Sequence, residues 1–579
     1  MILSSRDLCR TPLELLRSDI FADVLRSYLE SISGKGSELF EYMKSYRVIQ
    51  KQSEHDGMDI SEMVELLTLL SARSLDDVVA GSRKYSMLSE GKDKLHELVE
   101  ELYNYWRKME RYLLLGEEYR ATAIMTSDYH NWFVDTVQYF EALVRETYRR
   151  VAYNISGELP KVYRQLPSGV GAGAIVESIP WACPADEYQI LKDIPFCQLV
   201  VIEPPLIYYP KRNFRRGSIK PCESNPLKHL SELEGTWYCY PAKIGLLLIF
   251  IYIQEDFMHL GTSLCNLFEL AQGEEIYGKT PDGILIFGGD APSLPSEETY
   301  YYEDEQLNLV VGYVSGIEDH DYFGYLKKTA LTLHNVIMIN RGMLPLHGAM
   351  AMIKMSSGQS LNIVIVGDSG AGKSETLEAF RSLAGEENVD LKVVFDDMGV
   401  LESDSQGRVI AYGTEIGAFV RLDDLQPGYA YSEVDRSIFM SPQLINARVV
   451  IPLSEFSFIT AGHVVDVLLY ANNYEEVDEE HPLLEFFSNI EEALPVFESG
   501  ARLSKGTTDE KGLVHSYFAN PFGAAQKRPD HEAIANYIFD RLLSSGCLIG
   551  MLRTRLGIKG YESKGPQDAA RAILECFFA

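Results

Sequence analysis

The residues best able to do chemistry stand together in Gly367-Asp368-Ser369-Gly370-Ala371-Gly372-Lys373-Ser374, which fits G-x-x-x-x-G-K-[ST]. Glycines at these places let a loop turn tightly and point successive backbone N–H groups at one anion. A helix opening behind the loop adds its positive dipole end, Lys373 a mobile charge and Ser374 a hydroxyl for a metal ion. The chemistry of such a set is the binding of nucleotide phosphates. The context fits as well. Ile363 to Val366 is an apolar run suited to a buried parallel strand, and Glu375 to Leu383 reads as the helix.

A second set lies on either side of that loop. Leu391-Lys392-Val393-Val394-Phe395-Asp396-Asp397 reads as a hydrophobic strand ending in two acids. A carboxylate at such a strand end holds a nucleotide's metal ion directly or through water, whereas two acids after a strand otherwise make a turn. His347, in Met343-Leu344-Pro345-Leu346-His347-Gly348, reads as structural when taken alone. A helix is predicted from about Tyr322 to Asn340. Further back, Lys211 to Lys220 packs five cations into ten residues, as either a solvated loop or an anion-binding one.

These groups need a scaffold. At 579 residues the chain exceeds one core, and its 46% apolar content is that of a globular protein. A formal charge of −31 argues against a nucleic-acid surface and against an anionic membrane face, so a nucleotide site here must gather its positive groups locally. The eight cysteines show no C-x-x-C and no zinc spacing, and read as reduced thiols of a cytoplasmic protein. No N-terminal segment has signal-peptide form, and the most apolar run, Ile244 to Ile253, is too short to span a membrane and reads as a strand.

Three regions follow. Residues 1–165 read as a helical domain of unknown role that offers a surface to a protein partner. Thr11-Pro12-Leu13-Glu14 is a helix start, with Leu13, Leu16, Ile20, Val24 and Tyr28 on one face and Gly34 as C-cap. Two longer helices carry Leu95, Leu98, Leu102, Trp106, Met109 and Leu113, and then Phe133, Val137, Phe140, Val144 and Tyr148; both stripes read as core. Pro167 to Gly173 reads as a linker. Residues 175–320 form a β-rich lobe on the possible substrate side, with runs at Gln198–Ile202, Leu206–Tyr209, Ile244–Ile253, Gly283–Phe287 and Leu307–Tyr313. Residues 321–579 form the phosphate-loop domain.

From about residue 307 onward the chain resembles the phosphoenolpyruvate carboxykinase family. Tyr322-Phe323-Gly324-Tyr325-Leu326-Lys327-Lys328 is similar to that family's tyrosine followed by two lysines, Leu344 to His347 to its L-P-x-x-H, and Asp396-Asp397 to its acidic pair. Asn446 to Pro452 matches N-x-R-V-x-x-P, while Ser499-Gly500 with Lys505-Gly506-Thr507, and Phe518 to Ala525, resemble two further segments. The resemblance implies an α/β fold in which a mixed-sheet phosphate-loop core follows the β-rich lobe, with nucleotide bound between them over the carboxyl ends of strands. It implies Mn²⁺ on Lys328, His347 and Asp397, and Mg²⁺ on Ser374. ATP would lie on residues 367–374, with Lys373 at the β- and γ-phosphates, Arg448 at the γ-phosphate or substrate, and Lys564 and Arg571 near the base. The implied reaction converts oxaloacetate and ATP to phosphoenolpyruvate, CO₂ and ADP, a lyase and kinase step in one.

The chain also departs from that family. Its loop, with Asp368 ahead of Ser369 and the ending Ser374-Glu375-Thr376, resembles HPr kinase/phosphorylase, which acts on a protein serine. Arg421 stands where the family's loop has lysine, and Arg215-Arg216-Gly217-Ser218 is the nearest counterpart of its oxaloacetate-binding segment. Two alternatives therefore stand beside the carboxykinase reading. One is a kinase of a protein or another metabolite, with Asp396 as base; the other is a non-catalytic nucleotide-sensing module.

Overall fold

The computed structural model describes the chain apart from residues 1, 5–8, 34–36, 47–49, 52–57, 110, 116–126, 158–169, 185, 216–218, 231–232, 234, 356, 388, 423–424, 426–432, 505–511 and 579. The expected C-cap at Gly34, residues 167–169 of the expected linker, Arg216 and Lys505-Gly506-Thr507 lie outside the described residues, and the linker's last two residues, Ala172 and Gly173, open a strand instead. The chain divides into two compact units, Met1–Val176 with Val200–Glu203, and Glu177–Leu199 with Pro204–Ala579.

The first unit is mainly helical, as its apolar spacing dictates. Thr11 caps the first helix by accepting from the Glu14 N–H at 3.2 Å, and Pro12 fills the first turn. That helix stops at Leu16, and a second runs from Asp19 to Ser33, so the expected single face is broken. Leu16, Val24 and Tyr28 are buried, whereas Leu13 is exposed. The helices Lys92–Lys108 and Ser127–Ser156 supply Leu95, Leu98, Leu102, Trp106, Val137, Phe140 and Val144 to one apolar core. Leu113 does not continue the first of them: Tyr112–Leu115 is a strand, parallel to Ile2–Ser4 and to Ala172–Glu177. Leu113 fits helical spacing, but the chain leaves the helix after Lys108, and four consecutive apolar or aromatic residues suit a strand equally well.

The second unit is α/β and contains two large mixed sheets. In the first, Trp237–Ile244 and Leu247–Gln254 pair antiparallel, and Leu247–Gln254, Gly283–Gly289 and Leu309–Ser315 pair parallel. The expected strand Ile244–Ile253 is therefore the tip of one hairpin and its second arm. The turn is Gly245-Leu246, with Gly245 at φ +55°, a conformation glycine takes without steric cost. Both arms are buried, so hydrophobicity does not dip enough to mark the turn.

The second sheet runs in the order His463–Val464, Val409–Gly413, Val389–Ser403, Leu344–Met355, Ser360–Val366, Val467–Asn472, Leu548–Arg553, Leu484–Phe486. The three strands Ser360–Val366, Val467–Asn472 and Leu548–Arg553 are parallel, and the other pairings are antiparallel. A helix, Phe323–Asn340, is buried almost throughout and packs on strands of both sheets. A small sheet joins Gly417–Arg421, Arg448–Pro452, Ile438–Met440 and Leu206–Tyr208. No described helix is long and apolar enough to cross a membrane.

Candidate functional site

The strand Ser360–Val366 feeds the loop 367–372, and the helix Lys373–Glu387 opens behind it. Gly370 and Gly372 have positive φ, and a Cβ on Gly372 would lie 2.6 Å from the Thr554 hydroxyl, so a side chain there is both strained and blocked. Thr554 in turn donates to the Ala371 carbonyl at 2.6 Å, which seats the loop on the end of Leu548–Arg553, the next parallel strand but one. Lys373 is buried, and its Nζ donates to the Asp368 carbonyl at 3.1 Å. The Asp368 carboxylate turns away from the loop mouth, accepting from Arg502 Nε at 2.9 Å and from the Ser516 hydroxyl at 3.2 Å. Burial opposes its charge, but His347 and Arg502 hold its pKa below the usual carboxylate value.

Asp396 and Asp397 do not end a strand. They lie within Val389–Ser403, just past an irregularity in its pairing with Leu344–Met355. Next to that irregularity the two acids reach the same cleft but take different partners. Asp396 accepts from the Ser374 hydroxyl at 2.7 Å, and burial raises its pKa. Asp397 meets His347 Nε2 at 2.9 Å and Lys327 Nζ at 2.6 Å. Burial works against its charge, yet Lys327 and His347 win and its pKa falls well below the usual range.

Lys327 also pairs with Glu415 at 2.9 Å, both side chains being almost fully buried. Burial works against the ammonium, but Asp397 and Glu415 raise its pKa. Glu415 itself is pushed up to about 8 by burial, with Lys327 opposing. Lys328, the next residue, behaves in the opposite way. Burial first, and then Arg215, lower its pKa to about 8, with Arg448 and Lys327 adding to the effect. Its ammonium lies 5.2 Å over the Phe522 ring.

These groups line one cleft of about 440 Å³. Lys373, Ser374, Asp396, Asp397, His347, Lys327 and Lys328 share it with Arg215, Tyr322 and Arg448. Tyr322 is buried and accepts from Arg448, whose guanidinium lies 5.4 Å over the Phe419 ring. Arg448 Nε is buried and has no hydrogen-bond partner among the described residues. Arg421 sits directly across from Arg448 in strand register and also reaches the cleft. In total, eight basic side chains (those of Arg215, Lys327, Lys328, Lys373, Arg381, Arg421, Arg448 and Arg502) face four acids (Glu375, Glu378, Asp396 and Asp397), so in a chain of net charge −31 the cleft is a local reserve of positive potential.

Lys564 stands apart. It is exposed at the start of Lys564–Phe578, where Arg571 is exposed too, and neither is among the cleft-lining residues. Glu415, Arg381 and Arg502 escape a sequence reading. Glu415 follows a strand as any turn acid does, and Arg502 is marked only by its place between Ser499-Gly500 and Lys505.

The donor set suits a divalent cation. His347 Nδ1 donates to the Ala519 carbonyl at 2.6 Å, so Nε2 is the nitrogen left to face Asp397 Oδ1 at 2.9 Å, where a bound cation would take the place of a proton between them. Lys328, whose proton is held less tightly than an ordinary lysine's, lines the same cleft. Among the described residues no group of three or more His, Cys, Asp and Glu side chains gathers as a metal site. No protein-family model and no curated protein matches the chain.

Proposed function

We propose that the second unit is an ATP-dependent phosphoryl-transfer enzyme resembling phosphoenolpyruvate carboxykinase, acting on a small carboxylic acid. One observation carries the reading. The phosphate loop and the Lys328, His347, Asp397 set open into the same cleft, beside Arg215, Tyr322 and Arg448. In this reading Lys373 and the loop amides bind the ATP phosphates, and Ser374 with Asp396 holds the nucleotide's Mg²⁺. Lys328 as a neutral amine, His347 and Asp397 would hold Mn²⁺. Divalent ions bound there would supply neutralisation of phosphate charge and polarisation of the acceptor oxygen. Arg448 neutralises charge on the transferred group, Arg215 binds an acceptor carboxylate, and Tyr322 orients Arg448. Lys327 and Glu415 keep the Asp397 carboxylate in place.

The test supplies purified protein with Mg²⁺, Mn²⁺, ATP and oxaloacetate, and measures phosphoenolpyruvate and CO₂. Both are expected, and Arg215→Ala should suppress them while ATP binding persists. A second reading draws on Asp396, whose carboxylate is raised by burial and bonded to the loop serine. Such a group suits a base that takes a proton from an acceptor hydroxyl, as in a kinase resembling HPr kinase/phosphorylase. ATP consumed only on adding a cell extract, with no phosphoenolpyruvate from oxaloacetate, would favour that reading.

A further inference from the structure

Arg215 belongs to a segment whose backbone is clamped from an unexpected place. The Asp321 carboxylate, immediately before Tyr322, accepts from the Lys211 N–H at 2.9 Å through Oδ2, and the Asp321 carbonyl accepts from the Arg212 N–H at 3.1 Å. Its other oxygen, Oδ1, meets His259 Nε2 at 2.6 Å, with both side chains buried. His259 sits on Met258–Ser263 and is itself held by the Tyr208 ring, 5.9 Å away, whose hydroxyl bonds Thr262 at 2.8 Å. A second clamp lies further along: Asn213 bonds the Ile445 carbonyl and Asn446 bonds the Asn213 carbonyl, two residues before Arg448. Both ties fall at residues 211–213, just ahead of Arg215: one runs to the residue before Tyr322 and the other to the approach to Arg448. A buried Asp–His pair outside the cleft lining is a costly way to stabilise a loop, and its directional bonds are better matched to fixing one geometry.

We propose that Asp321, backed by His259, is a positioning residue that holds Arg215 on the cleft wall beside Tyr322 and Arg448, and so sets affinity for the anionic acceptor. This rests on the acceptor reading given above. It leaves the phosphate loop untouched, so nucleotide and acceptor affinities should separate.

The experiment uses the full chain and malonate as a dicarboxylate probe, titrated calorimetrically, with ATP titrated in parallel. Asp321→Ala should weaken malonate by at least about tenfold, the scale of losing a charge-assisted contact, with ATP affinity unchanged. Arg215→Ala should lose as much, and the double variant no more than Arg215→Ala alone. Asp321→Asn, whose amide oxygen still accepts from Lys211 N–H, should bind malonate nearly as the parent does. Independently, phenylglyoxal labelling of Arg215, followed by peptide mass spectrometry, should speed up about threefold or more in Asp321→Ala and stay slow in Asp321→Asn. Additive losses in the double variant, or parental affinity in Asp321→Ala, overturn the proposal. If the parent binds no malonate, the acceptor reading fails and the labelling rate alone decides whether Asp321 positions Arg215. If Asp321→Ala binds no ATP and so has not folded, His259→Ala takes its place, and an unchanged Arg215 labelling rate there overturns the proposal.

Discussion

The helical unit and the phosphate-loop cleft hold themselves together by opposite means. In the first, Val24, Leu25, Leu29, Leu66 and Leu70 are wholly buried among other apolar side chains, and aromatic pairs such as Tyr103 and Tyr148, stacked at 4.0 Å, fill the gaps. Area removed from water explains that core, and it asks for no directional bond. At the cleft wall, by contrast, Lys327, Glu415 and His347 are buried as charged or hydrogen-bonding groups around a partly exposed Asp397. Burying such a set gains little over apolar packing, while breaking it leaves an uncompensated charge. The difference separates residues held by area removed from water from residues held by directional, charged partners.

Breaking the ionic cluster should give the largest effect. Asp397→Ala leaves the Lys327 ammonium with Glu415 alone and His347 Nε2 without its carboxylate, and should cost about 3–5 kcal/mol in chemical denaturation. It should also abolish Mn²⁺ binding followed by electron paramagnetic resonance. A stability loss near that of a surface substitution would erase the contrast drawn here.

The matching lesion in the helical unit is Leu25→Ala. It should cost about 2–5 kcal/mol, according to how far the core collapses into the space. Unlike Asp397→Ala, it should show no dependence on salt, because no charge is uncovered; a marked salt dependence would mean that the two regions are less different than they look.

Lys373→Ala sharpens the comparison from the ligand side. It removes a charge-assisted contact worth about 1.5–3 kcal/mol to bound phosphate, so ATP affinity should fall at least about tenfold by calorimetry. Unchanged affinity in folded protein would discard the phosphate-loop assignment.

Next comes pH. The Lys328 amine binds its proton less tightly in the fold, at about 8 against an ordinary 10.5, so its charged form penalises the native state below that value. Relief should appear as stability rising between these two values, where the unfolded chain binds more protons than the folded one. Below about 8, Mn²⁺ must displace that proton, and affinity should climb by up to roughly tenfold per pH unit before this contribution levels off. Lys328→Gln should flatten both profiles, whereas profiles that match the parent's would remove the amine from the metal set. Smallest of all, Thr11→Ala should cost about 1 kcal/mol by losing a helix cap, measured as a shifted denaturation midpoint.

Local chemistry was legible wherever a short stretch of chain carries the constraint by itself. Glycine spacing and a following helix mark residues 367–374, because only such a stretch brings several N–H groups onto one anion, and the strand, loop and helix are found where expected. The Thr11-Pro12 start and the Phe323–Asn340 helix were legible for the same reason. Where two structures share a local signal, the reading failed. Ile244 to Ile253 hides a two-residue turn between equally buried arms, and Leu113 fits a helical stripe while lying in a strand.

Long-range pairing decided the rest. Nothing near Asp396 and Asp397 in the chain says that one will meet Ser374 and the other Lys327 and His347, since that follows from where Leu344–Met355 and Phe323–Asn340 lie beside their strand. Glu415 becomes an ion partner, and Asp321 a clamp on the Arg215 loop, only through contacts across 88 and 110 positions of chain. By itself, then, the sequence determined the phosphate loop and the helices with strong local signals, because propensity, turn geometry and periodicity act over a few residues. The loosened proton of Lys328, the firmly held one of Lys327 beside it and the gathering of Arg215, Tyr322 and Arg448 were decided by the tertiary structure, because burial and Coulomb interaction depend on distance in space.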